Sequence, residues 1–167
     1  MSDARDLLAQ ARRLVHSDPR RPRQTSLRSA VYSAYYALFH LLVGEAVRVV
    51  IPGKAGQVRH LRRTLSRCFE HRTMASAARA FAGQGKSAWV GNAGAIPPEL
   101  AEVARTFVDL QEARHLADYD KLGPRFTRSA SIARVAQCER AFTAWASVRS
   151  TTAARAFLLA LLFKPRN

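Results

Sequence analysis

Residues 25–50 read TSLRSAVYSAYYALFHLLVGEAVRVV, bounded downstream by Pro52-Gly53. Its apolar and small residues follow the 3.6-residue period of a helix, with no two-residue alternation to favour a strand. Thr25 or Ser26 is suited to cap the start, and Pro52-Gly53 stops the run, so the stretch predicts one long early helix. The neighbouring stretches follow the same rule. Residues 2–16 repeat Leu7, Leu8, Ala11 and Val15 on one face and end before the turn at Pro19 and Pro22. Residues 57–82 predict a third helix, apolar at Val58, Leu61, Leu65 and Phe69, before a glycine-rich loop over 83–97. Pro97-Pro98 opens a fourth helix that runs to about Lys121, where Gly123-Pro124 closes it. A fifth runs from a Thr127 cap to Phe163, with a kink expected at Ser150-Thr151-Thr152. The expected fold is therefore all-α, with about five helices in a single domain over residues 1–167.

A chain of 167 residues with 48% hydrophobic content is long enough to bury a core without staples. Cys68 and Cys138 form no paired pattern and suit free thiols in a reducing cytoplasm. The first residues lack the apolar stretch of a signal peptide, and residues 157–163 are too short to cross a bilayer, so no membrane partner is expected. The formal charge of +15 implies an anionic partner, nucleic acid before others. Residues 54–86 carry Lys54, Arg59, Arg62, Arg63, Arg67, Arg72, Arg79 and Lys86 against the lone acid Glu70, and residues 122–167 are basic apart from Glu139. An Arg- and Ala-rich composition drawn from a GC-rich genome would give a similar balance without a function.

The fourth helix departs from simple amphipathic patterning. At about 100° per residue, Leu100, Val103, Ala104 and Phe107 share one face, and Gln111, Arg114 and Asp118 continue it. Burying an Arg or Asp without a partner costs several kcal/mol, so these groups must pair with each other or line a cleft. On the second helix Tyr32, Tyr35 and Phe39 align within about 40° of Arg28, either as ordinary core packing or as the opposing face of a site.

Other motifs fail on their own chemistry. Gly85-Lys86-Ser87 resembles the end of a phosphate-binding loop, but Ala80 stands where that motif needs Gly, and no strand precedes it. Cys68 and His71 lack a second ligand pair, so neither metal nor other cofactor is expected. His16, His40 and His60 are scattered singly.

The second helix contains Ala30-Val31-Tyr32-Ser33-Ala34-Tyr35-Tyr36-Ala37-Leu38-Phe39-His40, and the fourth ends Glu112-Ala113-Arg114-His115-Leu116-Ala117-Asp118-Tyr119-Asp120. Together these blocks resemble the HEPN family, over about residues 5–147. The resemblance implies an up-and-down helical bundle that forms a homodimer and binds RNA or a nucleotide between protomers. It further implies a toxin-antitoxin, defence or stress-response module, with an antitoxin or a nucleotidyltransferase as partner. Many members are metal-independent ribonucleases with an Arg followed, after about four to six residues, by His. Here the corresponding positions hold Tyr119, Asp120 and Lys121, so the usual proton carrier is missing. The leading expectation is a nucleotide- or RNA-binding protein using Arg114, Asp118, Gln111, Arg28, Tyr32 and Tyr35, with Arg62, Arg63 and Arg67 contacting phosphates. The alternatives are an endoribonuclease toxin with an altered site drawn from Arg114, His115 or Tyr119, and a non-catalytic dimeric interaction bundle. The resemblance also makes Tyr119 an acceptor for a nucleotidyl group, against the plainer role of anchoring the helix end.

Overall fold

The computed structural model describes residues 2–17, 20–119 and 126–163, and among these every regular element is helical. The order is α1 (Ser2–His16), α2 (Gln24–Val50), α3 (Ala55–Ser66), α4 (His71–Phe81), α5 (Ala88–Asn92), α6 (Pro98–Tyr119), α7 (Arg128–Val148) and α8 (Thr152–Leu162). The protein is an all-α helical bundle, with eight helices among the described residues where sequence patterning predicted about five.

The extra elements come from breaks that periodicity does not mark. The expected helix over 57–82 is two helices, because no residue of α3 is buried while α4 buries Met74, Ala78 and Phe81. A straight helix would hold both halves to one facing. Extended backbone at Glu70 (φ −103°, ψ 129°) starts α4 afresh. Ser150-Thr151-Thr152 is a full stop rather than a kink: the Thr151 hydroxyl accepts from the Ala154 amide at 3.1 Å and caps α8. Within the glycine-rich loop, residues 88–92 form the short α5, whose Trp89 amide donates to the Ser87 hydroxyl. The Thr127 cap on α7 is as expected, accepting from Ala130 N at 3.1 Å.

Contacts gather the chain into two compact units, residues 1–40 with 106–143, and residues 41–105 with 144–167. In the first, an aromatic core forms around fully buried Tyr35 and Phe107, whose ring centroids lie 5.6 Å apart. Cys138 Sγ donates to the Ala34 carbonyl at 3.2 Å, tying α7 to α2, and Gln137 donates to Asp109 at 2.6 Å, tying α7 to α6. Arg12 of α1 pairs with Glu139 of α7. The Gln24 side chain closes a two-way clamp on the Phe126 backbone (2.9 and 3.0 Å). In the second unit α4 and α5 pack on α8, with Phe81 and Phe157 rings 5.1 Å apart. Buried Glu45 is held by Arg48 (2.9 Å) and Arg149 (3.2 Å), which supply the partners a desolvated carboxylate requires. At 27 residues α2 is long and apolar enough to cross a bilayer, but its most apolar window is 78% buried within the fold, as expected of a core helix.

Candidate functional site

The apolar stripe of α6 turns polar where the rotation predicts. Leu100, Val103, Ala104, Phe107 and Leu110 are fully buried, and the same face then carries half-buried Gln111 and Arg114. Gln111 Oε1 and Arg114 Nε are both shielded from solvent. A guanidinium in that position needs electron-rich neighbours, and α2 supplies three of them. The Arg114 carbon Cζ lies 5.4 Å from the ring centroids of Tyr35 and Tyr36 and 5.8 Å from that of Tyr32. A cation over an aromatic face contributes about 0.5–2 kcal/mol, most where water is excluded. The guanidinium also hydrogen-bonds the Tyr35 side chain, and since Arg has only donors, the tyrosine oxygen accepts.

The spacing on α2 explains this cradle. Tyr32 and Tyr36 are one turn apart with centroids at 4.5 Å, and Tyr35 and Tyr36 meet edge to face at 5.1 Å. Tyr35 forms the floor, fully buried against Phe107, whereas Tyr32 is 41% exposed and forms an open rim. Burial pushes the Tyr35 hydroxyl well above the ordinary tyrosine pKa, the neighbouring Arg114 opposing, so it stays protonated at neutral pH and is no general base. The cradle therefore presents a fixed positive charge with the exposed Tyr32 ring beside it.

The structure thus brings Arg114, Tyr32 and Tyr35 together and adds Tyr36, which lies outside the aligned face of Arg28, Tyr32, Tyr35 and Phe39. Its one signal was position: it follows Tyr35 directly and lies one turn beyond Tyr32. Arg28 stands one turn before Tyr32, half-buried with Nε shielded. His115 is exposed. The side chains of Asp118 and Tyr119, and residues 120 and 121, lie outside the described residues.

Arg63 and Arg67 are exposed. Arg62 is half-buried and donates to the Ile51 carbonyl (3.0 and 2.8 Å) and the Gly53 carbonyl (3.0 Å). That guanidinium holds the turn between α2 and α3. Among the described residues no three His, Cys, Asp or Glu side chains converge as metal ligands. Compared with protein-family models, curated proteins and solved structures, the chain matches none.

Proposed function

We propose that this is a HEPN-like nucleotide- or RNA-binding protein, acting as a homodimer in a toxin-antitoxin, defence or stress-response module. The observation that carries this reading is the Arg114 guanidinium lodged among the rings of Tyr32, Tyr35 and Tyr36. A fixed guanidinium suits a phosphate, and an exposed aromatic rim suits a base, which stacks at about 1–3 kcal/mol per base. Tyr32 and Leu116 (50% exposed) are large apolar side chains left open in the single chain, as a dimer surface would leave them. Exposed Arg63 and Arg67 add charge that favours phosphates of any sequence.

The same stack favours a second reading, in which Arg114 only locks α6 onto α2 in a non-catalytic interaction bundle. Affinities for a panel of short single-stranded RNAs separate the two. The wild type is expected to bind every member, and Arg114→Ala to weaken each of them, because a phosphate contact and stacking on tyrosine do not read sequence. Arg114→Lys is expected not to restore the affinity fully, because an ammonium lacks the planar face that stacks on tyrosine. Unchanged affinities in a folded Arg114→Ala protein would leave only the structural role. Cleavage products on a gel, lost in Arg114→Ala, would favour the ribonuclease alternative.

A further inference from the structure

A cleft of about 420 Å³ opens where α4, residues 86–89 and the end of α8 meet, lined by Arg72, Arg79, Lys86, Ser87, Trp89 and Phe163 among others. Its charge follows from the two faces of α4. That helix buries Met74, Ala75, Ala78 and Phe81 against the core. Arg72, Ser76 and Arg79, spaced at i, i+4 and i+7, fall within about 60° of one another on another side and line the cleft. The chain then stops in a way that returns it to the same place. Gln84 N donates to the Arg79 carbonyl at 2.8 Å and Gly83 N to the Ala80 carbonyl at 3.1 Å, with Gly83 at φ 80°. This paired C-terminal turn directs residues 84–87 back, so that Lys86 and Ser87 join the lining. The Gly85-Lys86-Ser87 motif, which fails as a phosphate-binding loop by sequence, thus lies beside two arginines.

The lining holds three cations and no carboxylate; Glu70 accepts from the Thr73 hydroxyl at 3.1 Å but does not line the cleft. Neither Arg72 nor Lys86 pairs with an acid among the described residues. The lining also carries aromatic surface: half-buried Trp89, whose indole N–H donates to the Phe163 carbonyl at 3.2 Å, and the Phe163 ring, 46% exposed. The hydrogen bond fixes one edge of the indole and leaves its face for stacking. Arg72 and Lys86, like charges on one void, raise each other's energy unless an anion joins them. The volume is that of a small-molecule site.

We propose that this cleft binds a nucleotide unit, with the phosphate on Arg72 and Lys86 and the base against Trp89 and Phe163. Its residues are all different from those around Arg114, and its binding does not depend on that site. The shared chemistry is a base bearing a phosphate, whether a free nucleotide or one unit of a strand.

Trp89 makes the test specific, because the only other tryptophan, Trp145, is 2% exposed and serves as a silent reference. Tryptophan emission is followed during titration with guanosine monophosphate, with guanosine, and with a short single-stranded oligoribonucleotide. Saturable quenching by the phosphate-bearing ligands, with none by guanosine, is expected. Quenching by the mononucleotide identifies a free nucleotide as sufficient, and quenching by the oligoribonucleotide alone identifies a strand. Arg72→Ala and Lys86→Ala are each expected to weaken binding about ten- to a hundredfold, the loss of a charge-assisted hydrogen bond. Arg155→Ala, on the exposed side of α8, is expected to change nothing. In Trp89→Phe the quenching disappears while calorimetry still registers binding, and circular dichroism shows whether each variant is folded. No saturable quenching, equal quenching by guanosine, or unchanged affinity in folded Arg72→Ala and Lys86→Ala overturns the proposal.

Discussion

The two thiols of this chain live in opposite surroundings. Cys138 is fully buried with its Sγ on the Ala34 carbonyl, and burial, aided by the charge of Glu139, pushes its pKa up to about 12. It is a neutral packing group at physiological pH. Cys68 is exposed. Native protein treated with iodoacetamide is therefore expected to carry one adduct, on Cys68, and denatured protein two, as peptide mass analysis would show; native labelling of Cys138 would mean that α2 and α7 separate there. Legibility at this scale divides along the same line of local against distant. The polar turn of α6 at Gln111 and Arg114 follows from rotation within one helix, which sequence reports directly. Arg62 does not, because its charge alone suggested phosphate, whereas its partners are carbonyls in a preceding turn that no periodicity reveals.

Helix ends show why element number was underestimated. Caps with a side-chain signal were readable: Thr127 stands before an apolar-periodic run and accepts from Ala130 N. The break over 67–70 contains neither Gly nor Pro, and it arises because α4 packs on α8 while α3 buries nothing. Tertiary packing overrides an apparent continuous pattern in that case. Two glycines give a test with opposite signs. Gly83 holds a left-handed φ of 80°, so Gly83→Ala is expected to cost about 1 kcal/mol, or roughly 2–4 °C in Tm. Gly56 lies inside α3 with nothing near an added Cβ, so Gly56→Ala is expected to stabilise by about 0.5–1 kcal/mol. Thermal melts of both variants check this, and a neutral Gly83→Ala would refute the role given to that turn.

At the scale of the molecule the dominant quantity is charge: 27 basic residues against 12 acidic ones, with +15 net. The sequence made that bias plain, but not where an anion would lie, since the Arg114 cradle joins two helices and the α4 cleft joins three separate stretches of chain. The proposed RNA binding is expected to be strong at low salt, because each neutralised phosphate releases counterions. The most direct measurement is the affinity for a labelled single-stranded RNA across a salt series, with each sample also run on a gel. For a footprint of about five phosphates the logarithm of the binding constant is expected to fall with that of salt at a slope of about −3 to −4. Arg63→Ala with Arg67→Ala should flatten that slope by roughly one and weaken binding to unrelated sequences alike. No binding at low salt, or an affinity indifferent to salt, would contradict the account.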